Sequence, residues 1–175
     1  MALVDWQISE RCLGPLPMVV PFEPELLSPA SLDVRLGPTL LIESAASPDY
    51  VHMDISSYTP EIPYLLVPGQ FVLAETVETF NMPEDLTVVF KLKSSRAREG
   101  LDHAHAAFGD PGWHGSKLTM ELKNNRQLHP IPLWPGKLIG QMIFTRNEDG
   151  AKPTRSYAIT GHYNNHQSVM PSWEG

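Results

Sequence analysis

The chain has 175 residues and a net charge of −7, with 13 Lys and Arg against 20 Asp and Glu. This length favours one domain with a substantial core, and the acidic balance argues against duplex nucleic acid as a partner. No apolar run approaches the roughly 18–20 residues of a membrane span, and no basic and apolar leader opens the sequence. Cys12 is the single cysteine, which fits a reducing compartment. We expect a cytoplasmic protein without nucleic-acid or membrane partners.

The predicted elements are short and are separated by turn-forming residues. A helix is predicted first, around residues 5–12, with Asp5 as its N-cap. Seventeen prolines leave little room for long helices. Runs that are apolar or alternate with period two then predict strands at residues 33–36, 64–67, 70–77, 86–92, 116–122 and 137–144. Many short strands with regular turns are typical of an all-β sandwich or barrel. Their order in a sheet stays open.

The stretch KLKSSRAREG (91–100) overlaps the end of a predicted strand and carries two serines and two arginines. Serine hydroxyls and free backbone N–H groups at a strand end can receive phosphate oxygens. Lys93 and Arg98 can neutralise the phosphate charge. The same composition also suits a solvated loop, so the residues alone leave both interpretations open.

Two further polar residues are candidates for a site. Asp110 opens a predicted type I or II turn in GDPGWHG (109–115), where it either caps the turn or lies at the mouth of a pocket. Alternation in 116–122 places Leu118, Met120 and Leu122 on one face and Glu121 on the other. Glu121 then either lies on a wet surface or acts as a general base in a pocket.

His103 and His105 are spaced so that they share one face of an extended segment. Two histidines are a weak metal signal. A zinc deaminase would need two cysteines in a P-C-x-x-C motif, which one cysteine excludes. A zinc hydrolase with His and carboxylate ligands stays open but has no further support.

The last segment, 151–175, is polar and includes Tyr157, Tyr163 and Trp173. It is either a disordered tail or an arm that orders over a ligand or a neighbouring subunit. The three aromatic side chains favour the arm, because disordered segments contain few aromatic residues.

Four blocks in order, 26–37, 67–101, 109–124 and 133–144, resemble the dCTP deaminase family, a branch of the trimeric dUTPase superfamily. The resemblance implies a distorted β-barrel or jelly-roll-like β-clip with few short helices. It also implies a homotrimer with active sites between subunits and hydrolytic deamination of dCTP to dUTP and ammonia. Two alternatives remain: a bifunctional enzyme that also cleaves dUTP to dUMP, and a non-catalytic nucleotide-binding regulator.

The resemblance also implies roles for individual residues. Glu121 would be the general base, and Arg98 and Ser94 would orient it and the attacking water. The substrate-binding residues would be Lys93, Ser95, Asp110, Gln141, Tyr157, His162, Tyr163 and Gln167. Magnesium would be bound through the triphosphate of the nucleotide, and no zinc or other metal would be held by the protein. The β-domain with the nucleotide site would span 1–150, and 151–175 would be an arm that closes over it.

The sequence departs from the family pattern at several places, including Phe108 before the DPGW turn, where a basic residue is common, and Lys93, where the family usually has arginine. The arm reads GHYNNHQ, with His162 before Tyr163 where the family has lysine, and Gln167 lies one position late. One residue is missing between Arg98 and Asp110. The glycine-rich last motif of dUTPases is absent. We therefore expect a weaker grip on the triphosphate or a preference for another nucleotide.

Overall fold

The fold was examined in a computed structural model, which describes residues 1–104, 106 and 108–173. Its strands are β1 (Val19–Val20), β2 (Leu27–Ser28), β3 (Ser31–Ser44), β4 (Ser47–Asp54), β5 (Tyr64–Leu66), β6 (Phe71–Asn81), β7 (Leu86–Leu92), β8 (Leu101–His103), β9 (Phe108–Gly109), β10 (His114–Asn124), β11 (Ile131–Leu133) and β12 (Leu138–Arg146). Its helices are α1 (Asp5–Leu13), α2 (Ser94–Arg98) and α3 (Tyr157–Thr160), with 3₁₀ turns at Pro24–Leu26 and Glu148–Gly150.

Most strands belong to one curled antiparallel sheet with the order β8-β10-β6-β3-β12-β7-β9. Strand β1 pairs with β6, β2 and β4 both pair with β3, and β5 and β11 form a separate two-stranded sheet. Each predicted strand is present, and β7 has the predicted bounds. The predicted fold class, an all-β structure with few short helices, is confirmed.

The core lies between the inward faces of the curled sheet. Phe80, Phe90 and Phe144 are among the largest fully buried side chains. Burying each such ring stabilises the fold by roughly 1.5–3 kcal/mol relative to leaving it exposed. Phe80 also stacks on Trp113, with ring centroids 5.4 Å apart. This contact ties the turn before β10 to β6 and so fixes one end of the site described below.

Helix α1 is present where the sequence predicts it, but the predicted N-cap is wrong. The cap position is Val4, whose N–H donates to the Gln7 side chain at 3.1 Å. Asp5 is the first helical residue, and its carboxylate accepts from the N–H of Trp6. Since the Gln7 side chain already satisfies the backbone N–H of Val4, the helix begins without an Asp cap. Its buried face carries Ile8 and Cys12.

The segment after β7, for which the sequence left both a solvated loop and a phosphate site open, contains the short helix α2. Lys93 is extended and ends the strand, and its carbonyl accepts from the N–H groups of Arg96 and Ala97. Arg96 and Glu99 form an ion pair at 2.8 Å along one side of the turn. Gly100 follows with φ +89°, a conformation that glycine adopts without steric cost. Local hydrogen bonds therefore close a helical turn that the serine and arginine composition did not predict.

None of the helices in the described part of the chain has the length and apolar character that spanning a bilayer requires.

Candidate active site

A cavity of about 560 Å³ lies against β6 and β10 and is bordered by residues of the segment after Gly150. Its lining is largely aromatic and apolar, and it includes four of the predicted site residues, namely Asp110, Glu121, Tyr157 and Tyr163. An apolar cleft with a few convergent polar groups is the usual form of a small-molecule site. The structure therefore brings these four residues together around one space.

The DPGW segment forms the predicted turn at the mouth of this cavity. The N–H of Trp113 donates to the carbonyl of Asp110 at 3.1 Å. Gly112 has φ +89°, which is the left-handed third position of a type II turn. A Cβ at Gly112 would lie 2.3 Å from Ser156 Oγ, so glycine is also required by the close approach of the C-terminal segment. The turn thus places Asp110 on the lining and receives the chain that precedes α3.

Strand alternation presents Glu121 to the cavity, as the sequence predicts. Met120 and Leu122 are fully buried on the opposite face of β10. Leu118, which we predicted beside them, packs against the same core cluster and also borders the cavity. A register irregularity between Lys117 and Thr119 breaks the strict alternation of the strand at this point.

The carboxyl group of Glu121 is largely withdrawn from water. Its Oε2 atom is buried and makes no hydrogen bond with any described residue, although it lies 3.1 Å from His103 Nε2. Burial raises the pKa of the Glu121 carboxyl, and its own backbone lowers that pKa by less. A carboxylate whose pKa is raised toward neutrality is better suited to general base catalysis than an exposed one.

The pH–rate profile of the enzyme is expected to show an acidic limb above the ordinary glutamate pKa of about 4.3. The base must be ionised, so kcat/KM should fall as the pH drops through the raised pKa of Glu121. The contribution of Glu121 to the free energy of unfolding changes with pH in the opposite direction to kcat/KM. The folded state binds this proton more tightly, so the contribution of Glu121 to the free energy of unfolding is lost as the pH rises through its folded pKa. Steady-state kinetics across acidic and neutral pH measure the limb. A limb at the ordinary glutamate value would contradict this account.

His103 is the group that sequence reasoning did not connect with Glu121. It ends β8, is 6% exposed, and packs its ring 4.8 Å from that of Phe90. Strand β8 pairs with β10, so residues that are 18 positions apart in the chain, Glu121 and His103, meet across two strands. His105, the other member of the predicted pair, lies outside the described residues. Among residues 1–104, 106 and 108–173, no three His, Cys, Asp or Glu side chains come together as a metal site.

The C-terminal arm, residues 151–175, docks on β10 over its described length. Lys117 N–H donates to the carbonyl of His166, and Asn165 N–H donates to that of His114. Further along, Val169 is 2% exposed and packs with Leu41 and Leu73. The arm is therefore held by backbone hydrogen bonds and by a small apolar cluster within the same chain.

Glu75 anchors the last part of the arm. This carboxylate is 2% exposed and accepts from Lys117 Nζ at 3.1 Å and from the N–H of Val169 at 2.9 Å. Next to it, the N–H of Met170 donates to Thr119 Oγ1. A buried carboxylate is stable only when it is paired and hydrogen-bonded, and here the arm supplies one of its two partners. The composition of β6 gave no signal that Glu75 would be used in this way.

The four predicted site residues of the arm fall in different places. Tyr157 and Tyr163 line the cavity. His162 stacks on Trp173 with ring centroids 3.9 Å apart, and Gln167 donates from its side chain to the carbonyl of Gly115. Neither is in the cavity lining, whereas His166 is. The one-residue offset of Gln167 noted in the sequence thus places an imidazole, rather than an amide, on the cavity.

The remaining five predicted residues form a second cluster, away from the cavity lining. Ser94, Ser95 and Arg98 are exposed on α2. Lys93 forms an ion pair with Asp33, and Gln141 accepts from Ser31 Oγ at 3.4 Å. The register pairs Gln141 with Asp33, so these groups are neighbours on β3 and β12. One chain therefore carries two groups of predicted site residues that it does not bring together.

Comparison with known proteins identifies the family. The dCTP deaminase-like family profile matches residues 3–147. A protein of Methanosphaerula palustris named "dCTP deaminase, dUMP-forming" is 37% identical over 160 residues, which cover 87% of this chain and 85% of that protein. A protein of Rhodococcus jostii with the same name is 36% identical over 178 residues, which cover 95% of this chain and 90% of that protein. The chain belongs to the dCTP deaminase-like family, and the resemblance seen in the sequence is confirmed.

The fold of the chain is also similar to that of a solved deaminase. The solved 2'-deoxycytidine 5'-triphosphate deaminase of Agrobacterium tumefaciens superposes with a TM-score of 0.68 at 19% sequence identity. The match covers 83% of this chain and 48% of the Agrobacterium chain, so the chain spans about half the length of that solved protein. At this identity the likeness shows the shared fold.

Proposed function

We propose that this protein is a hydrolase that deaminates dCTP, with Glu121 as the general base. The observation that carries the proposal is the Glu121 carboxyl, which is buried on the lining of an aromatic cavity and has a raised pKa. Membership in the dCTP deaminase-like family and the names of the relatives support the substrate. The cavity has the size and aromatic lining that suit a pyrimidine nucleoside.

The proposed reaction needs one water and one proton acceptor. Glu121 takes a proton from the water, and the water oxygen forms a bond to C4 of cytosine. Glu121 passes this proton to N3 of the ring and then moves the remaining proton of the former water from the new C4 hydroxyl to the amine. The bond between C4 and the amine breaks, ammonia leaves, and a carbonyl forms at C4. The balance is dCTP plus water giving dUTP plus ammonia.

The second cluster completes the proposed site from a neighbouring subunit. Ser94 and Arg98 would orient Glu121 and the water, while Lys93, Ser95 and Gln141 would face the phosphates. The geometry of one chain supports a contribution from a second subunit. These residues are outside the cavity lining that contains Glu121, so a single chain does not bring the two groups together. Soluble homo-oligomers usually have closed symmetry, and a ring of three subunits repeats one head-to-tail interface at which two different surfaces of the chain meet. We propose a homotrimer in which each site takes Glu121 from one subunit and Arg98 from the next.

Magnesium enters the proposal with the substrate. Mg²⁺ is commonly bound through nucleotide phosphates and one or two carboxylates rather than in a cage made by the protein. The protein residues proposed at the phosphates carry an ammonium, a hydroxyl and an amide group, and these would contact phosphate oxygens that the ion leaves free. We place the enzyme in the cytoplasm, as the sequence predicts, and the buried single cysteine fits a reducing compartment.

A second candidate function is supported by the names of the relatives, which are "dUMP-forming". In that case the protein would also hydrolyse dUTP to dUMP and pyrophosphate. Asp110 on the cavity lining is the carboxylate available to serve this second step. The deamination step and the role of Glu121 are the same in both candidates.

Incubation of the purified protein with dCTP and Mg²⁺, with nucleotides resolved by chromatography and ammonia measured, tests the proposal. Ammonia with dUTP shows a deaminase, and ammonia with dUMP and pyrophosphate shows the bifunctional enzyme. Binding of dCTP without ammonia release would overturn the proposed activity and favour a nucleotide-binding regulator.

Replacing Lys93 with alanine is expected to raise KM for dCTP about tenfold and to leave kcat nearly unchanged. A phosphate contact exists in both the ground state and the transition state, so its loss weakens binding without slowing the chemical step. Steady-state kinetics measure both constants. Lys91→Ala is the matched control, because Lys91 is an exposed lysine in β7, two residues before Lys93. A KM equal to that of the control would contradict the phosphate contact.

Truncation before Tyr157 is expected to weaken dCTP binding by about tenfold or more, since it removes arm groups that border the cavity. The trimer should stay intact, because the β-sheet that forms the body of the subunit remains. Calorimetric titration with dCTP and light scattering check the two statements. Unchanged affinity in the truncated protein would show that the arm does not act as a lid.

A further inference from the structure

A buried lysine connects the β11–β12 turn with α2. Lys137 is 4% exposed, and its Nζ donates to the carbonyl of Pro132 at 2.6 Å. The same atom lies 4.5 Å from the ring centroid of Trp134 and 3.4 Å from Glu99 Oε2. Lysine is almost never fully buried unless it is paired, so this arrangement requires its partners.

The backbone around Lys137 is fixed by the sheet. Its carbonyl accepts from the N–H of Leu36, and its N–H donates to the carbonyl of Trp134. These bonds fix the backbone of Lys137 beside β3. The bond from Nζ to the carbonyl of Pro132 fixes the ammonium group at β11. Desolvation by burial lowers the pKa of Lys137, and the ion pair with Glu99 opposes that change. Burying an ammonium group costs desolvation free energy, which an apolar side chain at this position would avoid.

Helix α2 has only five residues, so its stability depends on contacts with the rest of the fold. An isolated helix of that length is not stable in water. At its N-terminal end Lys93 pairs with Asp33, and at its C-terminal end the side-chain link is Glu99, which follows the last helical residue and pairs with both Arg96 and Lys137. Ser94, Ser95 and Arg98 are exposed on the same helix. The orientation of these three side chains is thus set by how α2 is anchored.

We propose that Lys137 is a positioning residue, which acts through Glu99 to fix α2 so that Ser94 and Arg98 are presented in the reactive geometry. The roles of Ser94 and Arg98 rest on the proposed function, whereas the anchoring of α2 does not. Lys137 would affect the orientation of α2 and would not contact the substrate, since none of its contacts described above is with a residue of the cavity lining. A small displacement of positioning groups can lower a rate markedly without unfolding the protein.

The first test measures anchoring without reference to activity. Hydrogen–deuterium exchange of the amides in 94–100 is expected to be faster in Lys137→Met than in the wild type, while Lys91→Met leaves it unchanged. Methionine keeps the length and apolar character of the lysine stem, so the core remains filled. If Lys137→Met does not assemble, Glu99→Gln removes the ion pairs of Glu99 with both Lys137 and Arg96, and Arg96→Gln, which removes only the second pair, is its control. Unchanged exchange in whichever variant folds would overturn the inference.

The second test is a double-mutant cycle on kcat. Lys137→Met is expected to lower kcat for dCTP about ten- to a hundredfold, with the unfolding temperature near that of the wild type. In an Arg98→Ala background the same change should have little further effect, because the group that Lys137 positions is gone. An equal loss in both backgrounds would show that Lys137 acts through something else. An inactive wild type with faster exchange in the variant would refute the proposed function and keep the anchoring.

Discussion

Glu121→Gln is expected to lower the deamination rate by about a hundredfold to ten-thousandfold, the usual range for loss of a general base. Glutamine keeps the size and the hydrogen-bonding capacity of the side chain but does not accept the proton from water. Because the carboxyl is buried on the cavity lining, no bulk base can replace it readily. Ammonia release by the variant measures the loss.

The affinity for dCTP shows whether Glu121→Gln removes only the proton acceptor or also disrupts the binding site. We expect Glu121→Gln to bind dCTP in a calorimetric titration with an affinity close to that of the wild type. The variant should also unfold at a higher temperature at neutral pH, because the ionised carboxylate is destabilised by burial and the amide carries no charge. Turnover at the wild-type rate would show that Glu121 is not the base.

Arg98→Ala is expected to lower kcat by a similar order, about a hundredfold, with a smaller effect on KM. The guanidinium would act on the water and the developing charge in the transition state rather than on the bound nucleotide. Its exposed position on α2 means that its removal should not destabilise the subunit. Steady-state kinetics with dCTP measure the two constants separately.

Arg146→Ala is the matched control for that change. Arg146 is also exposed, but it ends β12 and is outside both clusters of predicted site residues. It should retain wild-type kinetics. If Arg98→Ala behaves like this control, α2 is a solvated surface helix and the proposed second half of the site is wrong.

The strands and the face of Glu121 could be predicted from the sequence because both depend on local periodicity. The alternation around Met120, Glu121 and Leu122 survives in β10, and the run at 86–92 is a strand with those bounds. The register irregularity between Lys117 and Thr119 could not be predicted, since it arises from how β10 pairs with β6. Local pattern fixes which residues alternate, and tertiary pairing decides where alternation breaks.

The contacts between distant residues were beyond prediction for a related reason. Sheet order, which the periodicity leaves open, decides that His103 meets Glu121 and that Glu75 receives the arm. The burial of Lys137 likewise depends on packing of a turn against α2, and its residue type would suggest an exposed position. Helix α2 itself was missed because its stability comes from these contacts and not from its composition.

The most direct test of the account mixes two inactive variants. Glu121→Gln and Arg98→Ala subunits are purified separately, then dissociated, combined in equal amounts and reassembled, and ammonia release from dCTP is measured. If each site takes Glu121 from one subunit and Arg98 from the next, random mixing restores about one quarter of the wild-type rate. A mixture as inactive as its separate components, with mixed trimers shown by mass spectrometry, would contradict a site shared between subunits.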